Sequence, residues 1–211
     1  MRAITKNNEP ASLTQHRCQP HADYPNYANK DSLRQSLVAE QRGLCCYCLS
    51  RIRPVASEMK IEHWHCQDNY PAEQLVYANL LGACLGNQGQ SPERQHCDTR
   101  KANNDLSRNP ANPAHQVGQF IHFEGDGTVT SNDPAFDTEL NSVLNLNVSF
   151  LRNNRKAVLD AFKTTLIKRN NLARPTLERW LRDWNGESHA GELEPFCQVV
   201  VYWLRKRLSR P

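Results

Sequence analysis

Apolar residues recur at helical spacing near both ends of the chain and at strand spacing between them. Leu33, Leu37 and Val38 share one face of a helix predicted over residues 32–42, with Asp31 as its N-cap and Gly43 as its stop. Residues 1–29 are polar, carry Pro10, Pro20 and Pro25, and read as extended or irregular. Met59, Ile61 and Trp64 are interspersed with Lys60, Glu62 and His63, so 59–65 reads as a short strand. Leu75, Val76, Leu80 and Leu81 predict a wholly or partly helical stretch over 71–84. Residues 86–95 read as a loop, 97–106 as a helix, and the Asn/Pro-rich 107–119 as a linker. Gly125-Asp126-Gly127 turns a hairpin over 120–130. From Glu139 the pattern is helical. Leu151, Val158, Leu159, Phe162 and Leu166 predict a long amphipathic helix, followed by helices over 177–184 and 194–207, the last with Pro195 in its first turn. Trp180, Trp184 and Trp203 read as core, and 199–204 is expected to pack within this helical unit.

These elements divide the 211 residues into an N-terminal extended segment (1–30), a core (31–106), a linker and hairpin (107–138) and a helical unit (139–211). With 38% hydrophobic and 23% charged residues, the composition is that of a globular chain and excludes a disordered one. The longest apolar run, 199–204, is far too short to cross a bilayer, so no membrane partner is expected. The first residues, MRAITKNNEP, contain no apolar stretch of the secretory kind. A cytoplasmic, reducing location is therefore expected, where the eight cysteines serve as thiols or metal ligands rather than disulfides. Charge is uneven. Residues 148–211 carry 13 Lys/Arg against 6 Asp/Glu, whereas residues 1–147 are net acidic. A basic C-terminal third suits either phosphate contact or solvated helix faces.

The chemistry concentrates between residues 45 and 101. Cys45 and Cys48 stand two residues apart, and Cys84 and Cys97 follow. Four thiolates make a closed tetrahedral site of the kind that holds a structural zinc and joins distant segments. Cys46, Cys66 and His96 remain alternatives to individual ligands. Between the two pairs lies Ile61-Glu62-His63-Trp64, then Asn79, and directly after the last cysteine comes Asp98-Thr99-Arg100-Lys101. A neutral histidine is a good base near pH 7. Glu62 and Asp98 are hard oxygen ligands suited to Mg²⁺ or Mn²⁺. Base and divalent ion together fit phosphodiester hydrolysis. Arg100, Lys101 and Arg94 lie near enough in sequence to contact phosphate. In a regular strand Glu62 and His63 would point to opposite faces, so serving one site requires the strand to twist or end there.

The blocks CCYC, IEHW, NLLGAC and HCDTRK resemble the cysteine-bearing HNH endonucleases over about residues 42–105. That resemblance implies a ββα-metal core in which His63 is the general base, Glu62 and Asp98 bind the catalytic metal, and Asn79 braces the loop and the base. Cys45 with Cys48 and Cys84 with Cys97 would hold zinc. This chain departs from the usual pattern in having Glu before the histidine, Asp at the third motif position, and twelve residues within the second cysteine pair. The opening Ile4-Thr5-Lys6, Glu9-Pro10 and Leu13, with the Asn109-Pro110 stretch, more narrowly resembles the HNH subunit of Septu-type and retron-associated anti-phage systems. It implies a partner ATPase and a defence role. The expected fold is thus α+β, a zinc-stapled ββα-metal core followed by a mainly α-helical C-terminal unit, and the expected substrate is nucleic acid, foremost DNA. The rival readings are a zinc-ribbon-like module that binds nucleic acid or a partner without cutting, and an RNA-directed nuclease.

Overall fold

The computed structural model describes residues 1–169 and 173–210. Among these, eight α-helices and two two-stranded antiparallel sheets make an α+β fold. Helix α1 (Ala11–Arg17) lies in the stretch expected to be irregular. Its single buried residue, Leu13, gives the sequence no periodicity to betray it. Helix α2 (Lys30–Glu40) buries Leu33, Leu37 and Val38 as their spacing predicts. It begins two residues earlier than expected, and Asp31, instead of capping, sits in the first turn and pairs with Arg34 at 2.6 Å. At the other end Gly43, at φ +78°, donates its N–H to Val38 and stops the helix.

Strand β1 (Met59–His63) pairs with β2 (Leu80–Cys84) in antiparallel register, Met59 opposite Cys84 and His63 opposite Leu80. The helix expected over 71–84 is therefore replaced by two 3-10 turns (Pro71–Glu73 and Tyr77–Asn79) and a strand. All five residues of β2 are buried, so the strand shows no alternation, and a short unbroken apolar run reads equally as buried helix. Its outer edge is satisfied from α2's side. The Gln41 amide donates to Gly82 O (2.7 Å) and accepts from Gly82 N (2.6 Å), with Cys46 N also donating to Gly82 O (2.9 Å). Helix α3 (Cys97–Lys101) follows and ends at Ala102, whose φ of +49° halts the helix well short of residue 106.

The hairpin forms as its glycines predict, β3 (Ile121–Phe123) against β4 (Val129–Ser131). Before it come a 3-10 turn (Pro113–His115) and α4 (Val117–Phe120). After it come α5 (Pro134–Thr138), capped by Asp133, and a π-helical turn (Glu139–Val143). The long helix α6 (Ser149–Arg169), α7 (Arg174–Asn185) and α8 (Cys197–Leu208) then pack together. Their core joins Leu159, Phe162, Leu166, Leu177, Trp180, Val199, Val200 and Leu204, with Phe162 edge-on to Trp180, Trp184 and Trp203. Helix α8 starts at Cys197 rather than near 194. Leu193 N donates to Arg42 O (3.1 Å) and Phe196 N to Leu49 O (2.9 Å), so residues 193–196 are committed to the cysteine-bearing turn before the helix begins. Among the described residues no helix is long and apolar enough to cross a membrane.

Candidate metal centre and catalytic cleft

The turn that carries Cys45 and Cys48 is closed by hydrogen bonds from Cys45 N to Ser50 O (2.9 Å) and Leu49 N to Cys45 O (3.2 Å). Cys84 arrives on the last residue of β2, and Cys97 on the first of α3. The twelve residues between them double back. His96 N donates to Gly86 O (3.1 Å), and Cys97 N donates to Leu144 O (2.9 Å) with Cys97 at φ +55°. All four Sγ atoms consequently lie within 4.8 Å of one another, with Cys45–Cys97 at 3.9 Å and Cys48–Cys84 at 3.7 Å. Thiolates bound tetrahedrally at a zinc–sulfur distance of about 2.3 Å stand roughly 3.8 Å apart, so the cluster fits a metal ion. Of the alternatives, His96 abuts the cluster, its Nδ1 at 3.2 Å from Cys97 Sγ, whereas Cys66 lies elsewhere with its thiol toward Asn103 O (3.6 Å). Arg155, buried on α6, donates to Gly127 O in the hairpin turn (2.5 Å), to Leu146 O (2.7 Å) and to Asn147 Oδ1 (3.1 Å). Burial draws its guanidinium down to about 10, opposed by the charges of Cys48 and Cys97.

Gly86 is the weak point of this assembly. It sits at φ +56°, and a Cβ there would stand 2.1 Å from His96 O. Gly86→Ala is expected to cost at least about 1–3 kcal/mol through backbone strain alone. It should lower the melting temperature and speed metal loss to a chelator, and an unchanged melt would contradict this reading of the loop.

The second site is an open cleft of about 370 Å³ beside β1 and α3, lined by Lys60, Glu62, His63, Cys66, Asp98 and neighbouring residues. Glu62 and His63 both reach it because His63 is the last residue of its strand. His63 Nε2 donates to Gln74 O (3.0 Å), since a carbonyl oxygen can only accept. That hydrogen bond places the ring proton on Nε2 and leaves the Nδ1 lone pair free. Tyr24 stands edge-on against the imidazole at 4.5 Å. Burial lowers the His63 pKa, against the raising effects of Gln74 and Asp98, so the ring is neutral at pH 7. Asn79 braces the intervening loop. Its amide donates to His65 O (3.0 Å) and Glu73 O (3.3 Å) and accepts from His65 N (2.7 Å).

Glu62 and Asp98 come close enough for each to shift the other. Burial and the adjacent Asp98 push the Glu62 carboxyl well above the usual range, against Lys101 and the Tyr47 hydroxyl. For Asp98 burial works upward, but the bond with Glu62 and the charges of Lys60 and Lys101 hold it below its ordinary value. Tyr47 donates to Glu62 Oε1 (2.6 Å), Lys101 Nζ lies 3.0 Å from the same oxygen, and Lys60 Nζ lies 3.1 Å from Asp98 Oδ2. Two carboxylates so close, held by cations, are a fitting pair of oxygen ligands for a divalent ion.

Lys101 is not where a phosphate-contacting residue is expected. It is fully buried, and its ammonium is taken up by Glu62 and His63 O (3.1 Å). Arg100 stays partly exposed and donates to Pro92 O (3.2 Å). Arg94 lines a different cleft, with Val148 and Phe150.

No protein-family profile matches the chain. The chain is similar to an Escherichia coli protein named "Retron Ec83 putative HNH endonuclease". The two are 26% identical over 231 aligned positions, which cover 88% of each.

Several residues of the cleft escape a reading of the sequence. Tyr24 and Gln74 arrive from segments without a motif, and Tyr47 sits inside the cysteine turn, where the thiols dominate attention. Lys60 had a signal. In a strand, residues two apart share a face, so Lys60 and Glu62 were bound to meet whatever packs there.

Proposed function

We propose that this chain is a metal-dependent endonuclease of the HNH type, hydrolysing phosphodiester bonds in nucleic acid, foremost DNA. The observation that carries the reading is the convergence of His63, Glu62 and Asp98 on one cleft, with the His63 Nδ1 lone pair unengaged by Gln74. The order β1, β2, α3 beside a four-cysteine cluster supports a ββα-metal core with structural zinc. Similarity to the retron Ec83 protein supports the family; the proposed defence role and control by a partner ATPase rest on the resemblance of the opening residues and the Asn109-Pro110 stretch to Septu-type and retron-associated HNH subunits.

In this reading His63 Nδ1 takes a proton from water as the water oxygen attacks phosphorus. The P–O bond to the leaving sugar breaks, giving a phosphomonoester and an alcohol once the leaving oxygen is protonated. Glu62 and Asp98 would hold Mg²⁺ or Mn²⁺, which supplies neutralisation of the charge building on the phosphate and leaving oxygen. Asn79 and Gln74 keep the base in register. Tyr24 walls off one side of the imidazole.

The test offers duplex DNA, single-stranded DNA and RNA to the purified protein with Mg²⁺ or Mn²⁺. The expected result is cutting of DNA that requires the added ion. Substrate that is bound but left intact under all conditions would overturn the nuclease reading in favour of a binding module. Cutting confined to RNA would keep the chemistry and replace the substrate.

A further inference from the structure

The carboxylate pair in the cleft already has two cations, and they are not equivalent. Lys101 is fully buried and bonded to Glu62 and to the His63 backbone, so it balances charge inside the fold. Lys60 has a side chain 28% exposed, lines the cleft, and rests its ammonium against Asp98 Oδ2 (3.1 Å) and Thr99 Oγ1 (2.8 Å). Its four-carbon stem leaves from the face of β1 shared with Glu62, so of the two cations it is the one with an open path into the cleft.

Charge counting gives the consequence. Once both carboxylates are ionised, as metal ligands must be, Glu62 and Asp98 against Lys60 and Lys101 leave the group near neutral. A divalent ion entering a neutral set is only weakly attracted, and once there it leaves an excess of positive charge facing the cleft. An anion in the cleft removes that excess. Resting on the proposed assignment of Glu62 and Asp98 as ligands, we infer that Lys60 is a substrate-phosphate contact that occupies the metal's place on Asp98 until metal and nucleic acid bind together. Metal and phosphodiester are then thermodynamically linked, each tightening the other by the same factor. The ammonium released from Asp98 is the group that meets the non-bridging phosphate oxygen.

This role makes Lys60→Met act in opposite directions on two ligands. Mn²⁺ titrations of the full chain, read by calorimetry, measure the first. The variant should bind Mn²⁺ at least about fivefold more tightly than wild type, because the competing cation is gone. The second is the salt dependence of binding to a short DNA duplex, measured with Mn²⁺ in the His63→Ala background so that the probe stays intact. Lys60→Met should lower the slope of log K against log salt by about one and weaken affinity, while Lys60→Arg should keep the slope. A residue that merely props up the cleft would weaken both ligands together. If Asp98→Asn removes Mn²⁺ binding but Lys60→Met leaves it unchanged or weaker, or leaves the salt slope intact, the role of Lys60 is wrong and the metal reading stands. If Mn²⁺ binding does not depend on Asp98, the metal reading falls and this inference with it.

Discussion

The Cys48→Ser protein is expected to lose its metal and to unfold around the site it leaves. A serine hydroxyl does not ionise near neutral pH, so the fourth thiolate is gone and a buried polar group remains. Structural zinc contributes an apparent 10–16 kcal/mol or so to small domains, which is of the order of a whole domain's stability of about 5–15 kcal/mol. The cluster is also central. Cys45, Cys48, Cys84 and Cys97 belong to one apolar core with Ile4, Tyr47, Ile52, Leu81, Leu144 and Phe196. The effect should therefore spread to both the N-terminal segment and the residues before α8. Circular dichroism and elemental analysis check this together. Wild type should retain about one zinc per chain, and well-folded protein without zinc, or a serine variant that melts like wild type, would end the structural-zinc reading.

His63→Ala should have the largest effect on chemistry with the least on structure. Removing a positioned general base costs on the order of 10²–10⁴-fold in rate. The fold loses one hydrogen bond to Gln74 O, worth about 1 kcal/mol, and the edge contact with Tyr24. Single-turnover cutting rates set beside melting curves separate the two effects. A variant that cuts at the wild-type rate would remove His63 from the mechanism. One that fails to fold would make it a structural residue instead.

What the sequence made legible follows from how locally each feature is encoded. Cys45 and Cys48, Glu62 and His63, and Asp98 stand in short blocks whose chemistry reads directly, and the structure gathers them into two neighbouring sites. The helices over 30–40 and 149–169 were legible because their apolar residues recur at helical period beside polar ones. Strand β2 was not, since burial on both faces removes the alternation that marks a strand. Lys101 misled for the opposite reason. A lysine beside an arginine reads as a surface pair, and only a buried carboxylate brought in from β1 explains an ammonium with no exposure. Tyr24, Gln74 and Arg155 had no signature because each acts across a sequence gap that only the fold closes.

The hydrogen bonds that Leu193 and Phe196 make to the Arg42 and Leu49 carbonyls have a consequence for synthesis. About 150 residues of translation separate the cysteine turn from the residues that pin its flanks. At about 5–20 residues per second, roughly 7–30 s separate the two. A nascent chain therefore carries the EHW block and all four thiols before Leu193 and Phe196 can pin the flanks of the turn. Ribosome-bound fragments halted before residue 193 would carry a cysteine turn not yet pinned through the Arg42 and Leu49 carbonyls.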